Sequence, residues 1–176
     1  NTSVDINDKP SAFRYPRGNG IGTELPSINE KLEIGKGRVI TEGKKIALLN
    51  FGTRLNECLI AQKNLSKKGI NITIVDARFA KPLDESLIWQ LATDHEVLIS
   101  IEEGSVGGFG SHVAQFLLDK NLLDNKLKFR SMILPDKFID HNKPEVMYKL
   151  AGLDAECIEN KIFDCLNSKV IIKKTN

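Results

Sequence analysis

The residues with chemical potential gather in a few short segments. Ile101-Glu102-Glu103-Gly104 runs into Ser105-Val106-Gly107-Gly108-Phe109-Gly110-Ser111-His112. Glycines at such a turn permit positive φ and let free amides at a helix start face an anion. The loop lacks the Lys-Ser/Thr ending of a P-loop, and Val113 stands where the dinucleotide fingerprint has its third glycine. A tight strand-to-helix turn packed against another domain or subunit is therefore the favoured reading of Gly104–Gly110. Glu102 and Glu103 have the chemistry of a general acid and base. Neighbours on a strand point to opposite faces, however, so joint action on one atom is disfavoured, and a structural or surface role is expected for each.

Arg14-Tyr15-Pro16-Arg17-Gly18-Asn19-Gly20 is the other candidate. Pro16 fixes the local backbone and Gly18 allows close approach, so Arg17 would be presented with little freedom. Its planar fork of donors suits phosphate, and one such contact is worth about 1.5–3 kcal/mol. From the residues alone, an arginine solvated or bridging a carboxylate in a linker is the stronger reading. The histidines are scattered: His95 at a helix end, His112 at a helix start and His141 in a loop. No metal-ligand spacing and no nucleophile paired with a base is evident, and capping or surface roles are expected.

These segments sit in a chain of 176 residues, 41% apolar and 27% charged, with a formal net charge of +2. That balance gives no reason to expect a nucleic-acid partner, and no apolar run reaches the roughly 18 residues of a membrane span. Cys58, Cys157 and Cys165 form no Cys-x-x-Cys pair, which argues against a disulfide framework or a zinc site and for a reduced, cytoplasmic setting. No signal or transit pattern is present, and a start at Asn1 is expected of a piece of a longer polypeptide.

The first 43 residues are punctuated by Pro10, Pro16, Pro26, Gly18, Gly20 and Gly22. The spacing predicts one short strand over Ser11–Tyr15, a linker from Asn19 to Gly43, and an edge strand at Arg38-Val39-Ile40. From Lys44 the pattern changes. Strands are predicted at Ile46–Phe51, Ile70–Val75, Val97–Ile101 and Lys128–Leu134. Helices are predicted over Asn56–Lys68, from Pro82 and Asp84 to His95, over Ser111–Leu118, and over Pro144–Leu166 with a break at Gly152. Alternation in units of about 25–30 residues is the βαβ pattern, so the expected fold is α/β, a mostly parallel sheet with helices on both faces. In such sheets ligands meet the carboxyl ends of strands, here 50–53, 76–79 and 101–104.

Taken in order, several segments carry a resemblance: Phe13–Gly20, Ile34-Gly35-Lys36-Gly37, Leu49-Asn50-Phe51-Gly52-Thr53, Val75–Asp84, Ile101–Gly104 with Gly107–Ser111, and Leu134–Ile139. From near Pro10 to Leu166 they resemble the C-terminal part of the 1-deoxy-D-xylulose-5-phosphate synthase family, transketolase-like and thiamin-diphosphate-dependent. Ala77 and Ala80 depart from commoner, larger residues. The resemblance implies that 1–43 are the end of a middle, pyrimidine-binding-like domain plus a linker arm, and 44–176 a transketolase C-terminal-like domain. It implies a full enzyme that decarboxylates pyruvate and condenses it with D-glyceraldehyde 3-phosphate, feeding isoprenoid, thiamin and pyridoxal synthesis. Thiamin diphosphate and Mg²⁺ would be held by domains outside this chain, with a homodimer as the assembly. The resemblance assigns the aldehyde's phosphate to Arg17; Arg14 inherits no role, and no catalytic, cofactor or metal residue falls in the chain. The competing expectation is a stand-alone assembly module, like the related domains of transketolases and of 2-oxoacid dehydrogenase β-subunits, docking through the apolar face of the Ser111–Leu118 helix.

Overall fold

The computed structural model describes residues 1–16, 20, 22, 24, 26–27 and 30–167. Arg17, the expected phosphate contact, lies outside the described residues, as do Gly18 and Asn19. Five strands form one sheet: β1 (Arg38–Thr41), β2 (Ile46–Phe51), β3 (Thr73–Asp76), β4 (Val97–Glu102) and β5 (Lys128–Met132). Their order is β1-β3-β2-β4-β5. All neighbours run parallel except β1, which pairs antiparallel with β3 through a register shift between Val39 and Thr41. Five α-helices interleave: α1 (Leu55–Ser66), α2 (Glu85–Asp94), α3 (Phe109–Asp119), α4 (Pro144–Leu150) and α5 (Ala155–Asn167).

The central strands are mostly apolar because both faces are covered. Alternate residues of β2 enter two separate cores. Ile46 and Leu48 meet Cys58, Ala61 and Leu65 of α1 and Ile158 and Ile162 of α5. Ala47 and Leu49 meet Ile88 and Leu91 of α2 and Val113 and Leu117 of α3. Edge strand β5 carries Lys128 and Arg130, charges that discourage further strand pairing.

Local chemistry sets the boundaries. Asp84 opens α2 by accepting from the Leu87 amide at 3.2 Å. Gly69 ends α1 in the left-handed region (φ 77°), with Ile70 N donating back to Leu65 O at 3.0 Å. Gly152 ends α4 the same way (φ 76°), with Leu153 N donating to Tyr148 O at 2.9 Å. The mostly parallel α/β architecture expected from the alternation is what the chain adopts, and Arg38–Ile40 is indeed in an edge strand. One expectation fails: Ser11–Tyr15 is not a strand. Among the described residues no other strand lies beside it to complete a ladder, and Phe13 and Tyr15 stack on each other, 72% and 81% exposed.

Candidate functional site

The strand order reverses at β2. That strand feeds α1 on one face of the sheet and leads to β3, whereas its other neighbour, β4, feeds α3 on the opposite face. The carboxyl ends of β2 and β4 therefore flank the topological switch point, where open α/β sheets place their ligands. Segments 50–53 and 101–104 meet there, as expected, and segment 76–79 follows on β3.

Glu102, the last residue of β4, is only 3% exposed. Its carboxylate accepts from the Phe109 amide at 3.1 Å and the Gly110 amide at 2.8 Å. The N-cap residue of α3, Gly108, has no side chain to do this. Glu102 thus caps the helix from the strand beneath, placing negative charge at the positive end of the helix dipole. The glycines follow from that geometry. A Cβ on Gly108 would lie 2.7 and 2.9 Å from the two Glu102 oxygens, and one on Gly110 would lie 2.8 Å from Ser100 Oγ. The tight turn expected of Gly104–Gly110 is a wrapping around an internal carboxylate. The amides that would have faced an anionic ligand already face Glu102.

Glu103 points the other way, as strand alternation requires. It accepts from Thr53 Oγ1 and, at 2.7 Å, from Arg54 Nε. Arg54 lies at the N-cap of α1, and its guanidinium stacks on the Tyr148 ring with 3.6 Å to the centroid. Burial pushes the Tyr148 phenol above its ordinary range, and the charge of Glu103 together with a hydrogen bond to it acts in the same direction. One cluster thereby joins the ends of β2 and β4 to α4. Sequence reasoning marked Thr53 and Glu103 as strand-end residues but missed Arg54 and Tyr148. The second lies 45 residues beyond Glu103, and no local pattern announces the pairing.

On β3, Asp76 accepts from Arg38 Nε at 3.1 Å, with Arg78 Nε at 3.8 Å. Arg78 has φ 57°, a left-handed backbone rare for a side chain of its size, immediately past the carboxyl end of the strand. Asn50 is fully buried and donates to Gly52 O at 2.8 Å, leaving its Oδ1 without a protein partner. Asp84 is held by Gly37 N at 3.0 Å and by Ser86 Oγ at 2.8 Å, besides Leu87 N. Burial would raise its pKa, but these hydrogen bonds and Lys36 outweigh it and hold the carboxyl below the usual range.

The histidines do not converge. His95 Nδ1 lies 3.0 Å from Leu91 O at the end of α2, and its Nε2 lies 2.8 Å from Thr73 Oγ1. His112 and His141 are exposed on other elements. Among the described residues, no group of three or more His, Cys, Asp or Glu side chains is arranged to hold a metal ion. Among them, too, no helix is long and apolar enough to cross a membrane. Burial drives the Cys58 thiol up to about 12 and Cys157 to about 11, leaving both in the protonated, unreactive form at neutral pH.

Fold and site together define a doubly wound, mostly parallel α/β domain whose switch point is filled by its own carboxylates, guanidinium and phenol. The transketolase C-terminal domain family matches residues 35–158, and the chain belongs to that family. Among solved structures it is similar to one described as a split-gene transketolase in an inactive β4 tetramer, at 25% identity and a TM-score of 0.69. That match covers 82% of this chain and 46% of the other, so the chain spans less than half of that relative's length. Transketolase from Campylobacter jejuni subsp. jejuni NCTC 11168 shares the fold at 16% identity and a TM-score of 0.55, over 74% of this chain and 18% of the enzyme.

Proposed function

We propose that this chain is the C-terminal part of a 1-deoxy-D-xylulose-5-phosphate synthase, with residues 1–43 closing the middle domain and 44–176 forming the C-terminal one. Membership of the transketolase C-terminal domain family supports the general context, a thiamin-diphosphate-dependent transferase. The particular enzyme rests on one observation, the run Tyr15-Pro16-Arg17-Gly18-Asn19-Gly20 set upstream of such a domain. In this reading pyruvate and D-glyceraldehyde 3-phosphate are the substrates, and Arg17 receives the aldehyde's phosphate. Thiamin diphosphate and Mg²⁺ belong to the preceding domains. The C-terminal domain stabilises a homodimer; the split-gene relative is described as a tetramer, which supports oligomeric assembly in general.

The test is Arg17→Ala in the enzyme with its preceding domains. Loss of one charge-assisted contact should lower kcat/KM for the phosphorylated aldehyde by about 10- to 100-fold. Use of an unphosphorylated aldehyde should be nearly unchanged; equal losses for the two would remove Arg17 from the phosphate site.

A second reading, an assembly module acting as a separate polypeptide, is favoured by the fact that the similar structure is described as coming from a split gene. The coding sequence upstream of Asn1 separates the two. A continuous reading frame into a middle domain supports the first, and a start codon with its own ribosome-binding site supports the second.

A further inference from the structure

The segment after β5 is attached to the body differently from α1, α2, α3 and α5, which bury apolar residues in the two cores. At one end Leu134 N donates to Gly104 O at 2.8 Å, and at the other Leu153 is 1% exposed. Between these anchors α4 buries none of its residues. Phe138 is 89% exposed and Leu150 58%, so apolar burial contributes little to holding the segment down. Its Lys149–Glu156 pair, at 3.0 Å, lies on the surface, where such pairs contribute little. The strong attachment is Tyr148. Its ring covers the Arg54 guanidinium at 3.6 Å, and Glu103 holds Arg54 Nε at 2.7 Å in an ion pair. A cation–π contact strengthens as its cation is desolvated, and the Arg54 side chain is only 13% exposed.

Arg54 follows β2 and Glu103 follows β4, so Tyr148 spans the mouth of the switch-point crevice. We propose that residues 135–151 form a strap that latches across the carboxyl ends of β2 and β4 through Tyr148. It opens about Pro135 and Gly152 as a unit, independently of the sheet. When the strap opens, Thr53, Arg54 and Glu103, three of the polar side chains at the carboxyl ends of β2 and β4, are uncovered together.

Hydrogen exchange on the 176-residue chain tests this. In Tyr148→Ala, amides of Met147, Lys149, Leu150 and Ala151 should exchange at least about tenfold faster, while those of Leu98–Ile101 and Val113–Leu117 keep their rates. Glu103→Gln should shift the same amides in the same direction, and Tyr148→Phe, which keeps the ring but loses the hydroxyl, should shift them less. Trypsin should cut the Tyr148→Ala chain faster after Lys137 and Lys149, with the sheet and α3 surviving as one fragment. Unchanged α4 exchange in every variant, or equal acceleration of α4 and β4, would overturn the strap.

Discussion

Glu102 carries more structural responsibility than its place in a Glu-Glu pair implies. Glu102→Ala would leave the Phe109 and Gly110 amides buried without acceptors, costing about 2–4 kcal/mol. Glu102→Gln, which keeps one acceptor oxygen, should cost less; urea midpoints of the two variants check the order. Burial raises the Tyr148 phenol, and Glu103 raises it further, so its neutral form is favoured in the folded state. The sign follows from linkage: stability from this group is complete below the ordinary tyrosine pKa of about 10 and falls as pH climbs through the raised folded value. An absorbance titration in a Tyr15→Phe background should show Tyr148 titrating above that ordinary value, and Glu103→Gln should bring it back toward it. These linkages were not legible in the sequence. Alternation on a strand was enough to separate Glu102 from Glu103, but not to say what each would meet. The left-handed Arg78 is likewise set by its surroundings, because nothing in Asp76-Ala77-Arg78-Phe79 requires it.

At the scale of elements, the apolar run of β2 and the Gly69 stop of α1 were readable because each rule acts within a few residues. The failed strand at Ser11–Tyr15 shows the limit of that reading. Its residue types suit a strand, but a strand exists only with a partner, and partners are not local. Asp84 is the clearest local device. Its carboxyl is held low by Ser86, Gly37, Leu87 and Lys36 against the opposing effect of burial. Its contribution is therefore present above the ordinary aspartate pKa of about 3.9 and is lost as pH falls through the lower folded value. Asp84→Ala should reduce stability by about 1 kcal/mol near neutral pH, and both it and Asp84→Asn should flatten the acid limb of a denaturation midpoint plotted against pH.

For the whole molecule, two cores separated by one sheet explain why the fold class was legible at once: strands covered on both faces read as continuous apolar runs. The crevice was legible in place but not in content, since its filling residues come from β2, β4 and α4 together. The thiols give a global check on native packing. With Cys58 and Cys165 buried and all three pKa values raised, the folded chain at pH 8 should react with a disulfide reagent far more slowly than the urea-unfolded chain. Apolar side chains left outside both cores, Leu118 at 57% and Val106 at 76%, suit the proposed assembly. Sedimentation of the enzyme with its preceding domains should give a dimer, weakened by Leu118→Asp.

The enclosed carboxylate beneath α3 also makes a vacancy possible. Truncating Glu102 to alanine would leave a small hollow lined by two backbone donors at a helix start, a receptor for a monocarboxylate. Millimolar formate or acetate should then raise the melting temperature of the truncated protein by mass action while leaving the unaltered chain indifferent.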